Sequence, residues 1–120
     1  MDHTSAEMRI YSPRWGQEDT YDLELSRESL IITHGPSKAT CAWRENLDPQ
    51  WGGDSLERML TNDSIYPPSI LQRLLAHAWL SWRSNEMDDN ALQEELNAVA
   101  DWLNATTRAK PSTEFWRRFF

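Results

Sequence analysis

Between Pro68 and Pro111 the chain contains neither proline nor glycine, whereas both interrupt the stretch before Pro68 repeatedly. Proline ends helices and glycine weakens them, so long helices are confined to the second half. The apolar spacing there fits. Leu71, Leu74, Leu75, Ala78 and Trp82 share one narrow arc at roughly 100° per residue, with Trp79 on its margin. The spacing predicts a helix capped by Ser69 and running to about Asn85. A second helix starts at Asp88 or Asp89. It buries Leu92, Leu96, Val99 and Leu103 and turns Gln93, Asn97, Asp101 and Asn104 the other way.

The front half follows a different period. Tyr21, Leu23 and Leu25 alternate with Asp22 and Glu24, as in a half-buried strand. After a polar link at Ser26–Ser29 comes the short apolar run Leu30–Thr33, so a hairpin is expected. His34-Gly35-Pro36-Ser37 is a second turn signal, and Thr40 to Trp43 suggest a third strand ending near Glu45. An earlier strand around Met8–Tyr11 fits before Ser12-Pro13. From Asn46 to Gly53 the Asp48-Pro49 and Gly52-Gly53 pairs read as loop. Asp54 or Ser55 caps a short helix carrying Leu56, Met59 and Leu60. A terminal helix starts at Ser112 or Thr113, with Phe115, Trp116, Phe119 and Phe120 along one side and Arg117 and Arg118 elsewhere.

Strands followed by helices give an α+β expectation. An N-terminal antiparallel meander of three or four strands packs on about three C-terminal helices plus the short terminal one. The whole forms a single domain over residues 1–120, strand-rich from 8 to 45 and helical from 54 to 120. With 39% hydrophobic and 26% charged residues, the composition is that of a chain able to bury one core.

Charge narrows the function. The net charge is −7, unevenly spread: residues 1–66 carry 6 basic and 12 acidic side chains, and residues 108–120 carry 4 and 1. An acidic body repels a phosphate backbone, so nucleic-acid binding is disfavoured and a basic protein partner is favoured. The basic aromatic tail reads as a helix docking its apolar side on the core, its arginines in solvent or paired with body carboxylates. No apolar run approaches the ~20 residues of a membrane-spanning helix. Met1 to Arg9 lacks the apolar centre of a secretory signal, and the one cysteine, Cys41, forms no internal disulfide. A cytoplasmic location is expected.

Seven tryptophans stand out. Trp43, Trp82, Trp102 and Trp116 fit buried faces, while Trp79 sits at a stripe edge. Trp15 and Trp51 lie in loops beside glycine, where contact residues concentrate. Partner-binding candidates are therefore Trp15 and Trp51 together with Glu18, Asp19, Asp22 and Glu24. A pocket around Trp43, bordered by Arg14, Arg44, Glu45 and Asp48, is the alternative.

Catalytic signatures are thin. His3, His34 and His77 show no metal-ligand spacing, there is no phosphate-cradling glycine loop, and Cys41 reads as a small buried strand residue. No cofactor, metal or catalytic residue is assigned. The leading expectation is a non-catalytic protein-binding module of inhibitor or immunity type. A small-ligand binder or small enzyme with a tryptophan-lined pocket, and a homo-oligomerising structural protein, are the rivals.

Overall fold

The computed structural model describes residues 3–12, 16–45, 48–54, 56, 59 and 68–108. Five strands form one antiparallel sheet in sequence order: β1 (His3–Ser12), β2 (Gln17–Ser26), β3 (Ser29–His34), β4 (Ser37–Ala42) and β5 (Gln50–Gly53). Two helices follow among the described residues, α1 (Pro68–Arg83) and α2 (Asp89–Arg108). The class is α+β, with more strand than the alternation alone predicts.

The strand count of three or four is corrected to five. β1 begins at His3 rather than near Met8, because Thr4 to Tyr11 pair without a break against β2. β5 occupies a segment expected to be loop. Gly52 and Gly53 sit across from Thr40 and Ala39, so these glycines serve close strand approach as well as a turn. A Cβ on Gly53 would lie 2.6 Å from the Lys38 carbonyl oxygen, and its φ of +77° suits glycine. The third helix expected at Leu56–Leu60 is described only at Leu56 and Met59, both helical and buried. The terminal helix from Ser112 or Thr113 lies outside the described residues.

One sheet face carries the core. Met8, Ile10, Tyr21, Leu23, Leu25, Leu30, Ile32 and Cys41 are all nearly inaccessible, as alternation requires. Both helices pack on this face. Trp79, at the margin of the α1 stripe by periodicity, is fully buried, and its indole N–H donates to the Ser26 carbonyl at 2.9 Å. Trp82 donates to Asp89 Oδ1 at 2.8 Å, tying the end of α1 to the start of α2. Each ring thus buries its apolar body while its polar atom is satisfied.

The helix junction follows from its sequence. The Asn85 N–H bonds the Trp82 carbonyl and the Glu86 N–H bonds the Ser81 carbonyl, with Asn85 at φ 62°. That is a Schellman ending, with asparagine in the left-handed position usually given to glycine. Asp88 then caps α2, its Oδ1 accepting the Ala91 N–H at 2.8 Å.

On the polar side of α2, Asn97 and Asp101 are exposed, but Gln93 and Asn104 are half-buried against the free edge of β1. Gln93 Oε1 accepts the Glu7 N–H at 3.1 Å while Gln93 Nε2 donates to the Glu7 carbonyl at 2.8 Å. Asn104 repeats the pattern, accepting the Tyr11 N–H at 2.6 Å and donating to the Arg9 carbonyl at 3.1 Å. An amide side chain reproduces the peptide's donor and acceptor, so these two residues stand in for a missing strand. An uncovered edge would invite pairing with another chain.

Candidate functional site

The helices leave the other sheet face open. On β1 that face presents Ser5, Glu7 and Arg9, and on β2 it presents Glu18, Thr20, Asp22 and Glu24. The register sets Glu7 directly across from Asp22 and Ser5 across from Glu24. Glu7 turns its backbone groups toward α2, so Glu7 and Asp22 form a non-hydrogen-bonded pair, whose side chains come closest. Like charges directly opposite destabilise a sheet. Relief comes from Arg9, whose guanidinium lies 3.5 Å from the Glu7 carboxylate. Both partners are largely exposed, so this ion pair is weak.

Beside these carboxylates runs an open groove of about 780 Å³ between β1 and α2. Glu7, Glu18 and Asp22 border it from the sheet and Asp101 from the helix. Its floor includes Ala100, with Asn97 beside it, and these short side chains leave room between the Gln93 and Asn104 contacts. Alternation turns the Arg9 N–H toward the same side as its carbonyl, which accepts from Asn104.

The candidate residues from the sequence separate in space. Glu18, Asp22 and Glu24 share the open face. Asp19 points to the opposite side, where its carboxylate lies 3.9 Å from His34 Nε2. The His34 ring stacks on Tyr21 at 4.3 Å, with Nδ1 3.2 Å from the Thr20 carbonyl. Tyr21 donates its phenol to the Met59 carbonyl at 2.8 Å, and burial, aided by the Asp19 charge, pushes its pKa up to about 12. This half-buried polar cluster joins the sheet to the segment containing Met59.

Trp51 is half-buried on β5, across from Cys41 and hence on the core side. It is three strands from β2, ~14 Å at the usual strand spacing. Trp51 and the β2 carboxylates are therefore two sites, not one. Trp15 and Arg14 lie outside the described residues. Trp43 is half-buried beneath the Arg83 guanidinium, 3.5 Å from its ring centre, while Arg83 Nε donates to the Arg27 carbonyl at 2.6 Å. Arg44, Glu45 and Asp48 are exposed. Cys41 is fully buried, which raises its thiol to about 11 and makes it a poor nucleophile at neutral pH. No three metal-ligating side chains cluster among the described residues, and no helix among them is long and apolar enough to cross a membrane.

Glu7, Asp101 and the amides of α2 escaped the sequence reading. The signal for Glu7 was present: extending the β1 alternation back from Met8 places it on the outer face. Nothing in the spacing of α2 distinguishes an amide facing water from one facing a sheet edge.

With this geometry in view, comparison with known proteins is informative. A family model described as integron cassette protein matches residues 4–107. The chain belongs to the integron cassette protein family. A solved integron cassette protein from the mobile metagenome of V. cholerae is 42% identical, with a TM-score of 0.83 over 99% of this chain and 94% of that one. No curated protein matches this cassette protein. The solved relative supports the α+β fold, and its description says nothing of activity.

Proposed function

We propose that this cassette protein is a non-catalytic binding module of the cytoplasm that docks a basic protein through its open, acidic sheet face. Inhibition or immunity-type neutralisation of that partner is the role this chemistry suits. One observation carries the reading: Glu7 and Asp22 are set directly opposite each other on an exposed face where a lysine at either position would stabilise the sheet. A residue choice that costs stability locally calls for a compensating use. Glu18 and Glu24 extend the same sign of charge along β2, and a row of carboxylates steers a cationic surface and speeds its association.

Immobilised full-length protein, exposed to a V. cholerae lysate and washed with rising salt, tests this. The expected result is a basic partner that is released as ionic strength increases, because exposed charge pairs are screened. Retention only of acidic proteins, or of partners indifferent to salt, would refute the electrostatic reading. The tryptophan-pocket alternative gains nothing from Trp43, whose ring face is covered by Arg83.

A further inference from the structure

We infer that two copies of this chain join through their β5 edges, pairing antiparallel about a two-fold axis at Gly52, so that their sheets become one. The inference stands apart from the acidic-face reading, because β5 lies at the far edge of the sheet from β1 and β2.

The two edges of the sheet differ. Gln93 and Asn104 engage the backbone of β1, whereas β5 has β4 on one side and no partner among the described residues on the other. Register fixes which groups are left over. The Asp54 N–H bonds the Lys38 carbonyl, and Gly52 and Gln50 lie across from Thr40 and Ala42. The even-numbered residues of this segment therefore turn their peptide groups toward β4. Trp51 and Gly53 direct their N–H and carbonyl groups outward. Water satisfies such groups in a single copy, so the edge by itself selects no partner. What selects a second copy is self-complementarity.

A two-fold at Gly52 sets Trp51 across from the partner's Gly53, and Gly53 across from the partner's Trp51. Each such pair exchanges both backbone bonds, since both residues point outward. At the axis Gly52 meets the partner's Gly52 in a non-hydrogen-bonded pair, where side chains would crowd most, and neither residue has one. Trp51 is half-buried on the core side of its own sheet, so pairing completes its burial against a residue without a side chain. A cavity of about 200 Å³ lies at this edge, between Gly53, Leu56 and Gln72, and the partner's indole enters it over Gly53. Edge strands that stay single are commonly guarded by charge or proline, and Gln50-Trp51-Gly52-Gly53 contains neither. Pro49, just before β5, offers no N–H, so the pairing ends where the strand does. The contact is short, and a reversible dimer rather than a permanent one is expected.

Analytical ultracentrifugation of the full chain over a range of concentrations reads the association, and amide hydrogen exchange reads its place. The parent is expected to dimerise reversibly, with the Trp51 and Gly53 amides exchanging more slowly as concentration rises. Each copy carries a net charge of −7, so salt is expected to favour the pair. Gly52 tolerates a side chain, since a Cβ there meets Thr40 Oγ1 at 3.8 Å, an ordinary contact. Gly52→Lys and Gly52→Glu are each expected to weaken self-association about tenfold or more, because like charges meet at the axis. An equimolar mixture of the two is expected to restore it, and thermal melts establish that each variant is folded. The exchange readout uses the parent alone, so it decides the edge whatever the variants' stability. A chain that stays monomeric up to about 1 mM would overturn the dimer. Association that weakens with salt, leaves the Trp51 and Gly53 amides unprotected, or persists unchanged in both variants would overturn the β5 assignment. A mixture no tighter than either variant alone would overturn the register at Gly52.

Discussion

Replacing Gln93 by methionine keeps the length and apolar stem of the side chain but removes both hydrogen bonds to the Glu7 peptide, at 3.1 and 2.8 Å. A typical intramolecular hydrogen bond contributes about 0.5–1.5 kcal/mol net. Glu7 lies at a half-buried edge where water can partly replace the lost partner, so about 1–2 kcal/mol is expected for the pair. In a chain of this size that lowers the melting temperature by roughly 4–8 °C. Asn104→Leu removes the equivalent bonds to Tyr11 and Arg9 three helical turns away, ~16 Å along α2. At that separation the two effects add, and the double variant should lose about 2–4 kcal/mol. Urea unfolding gives the energies. Amide hydrogen exchange then shows whether the loss is local, since the Glu7 and Tyr11 amides should exchange faster while buried β3 amides stay protected relative to global opening. A double variant within about 0.5 kcal/mol of the parent, or unchanged exchange at Glu7, would refute the idea that α2 serves as a surrogate strand.

Three further outcomes follow from the geometry. Gly53→Ala should cost more than about 1–2 kcal/mol, since it combines a left-handed backbone with a Cβ 2.6 Å from the Lys38 carbonyl; a melt equal to the parent's would mean β5 is not held as described. Tyr21 and Cys41 bind their protons more tightly when folded, with pKa values near 12 and 11 against ordinary values of 10.0 and 9.0. Their contribution is complete below pH 9 and declines as pH rises toward 12, so denaturant midpoints should fall across that window, and Tyr21→Phe should flatten the upper part. Asp88→Ala removes the cap of α2 and should cost about 1 kcal/mol, with Asp88→Asn recovering most of it in the same melts.

Much of the architecture was legible because two periods divide the chain at the Pro67-Pro68 pair. Leu71, Leu75, Leu92 and Leu96 are buried where the helical spacing places them, and Tyr21, Leu23 and Leu25 where alternation does. β5 was not legible, because Gly52-Gly53 is written identically for a turn and for a strand whose neighbour approaches closely. Trp79 shows the limit of periodicity: a residue at the margin of a helical stripe is buried or exposed according to what packs beside it, here the β2–β3 turn that accepts its N–H. In the candidate site, alternation set Asp22 and Glu24 on one face but said nothing of strand pairing. Cross-strand register therefore had to be seen before Glu7 could be placed against Asp22 and Asp19 separated from both.

The carboxylate face bears the functional account, and association kinetics address it most directly. Once a partner is in hand, its binding rate to the parent and to Asp22→Lys/Glu24→Lys is measured across ionic strength. The parent's rate should be fast at low salt and fall steeply as salt rises, while the variant should be slow throughout. Equal rates for the two proteins, with both folded, would contradict the account.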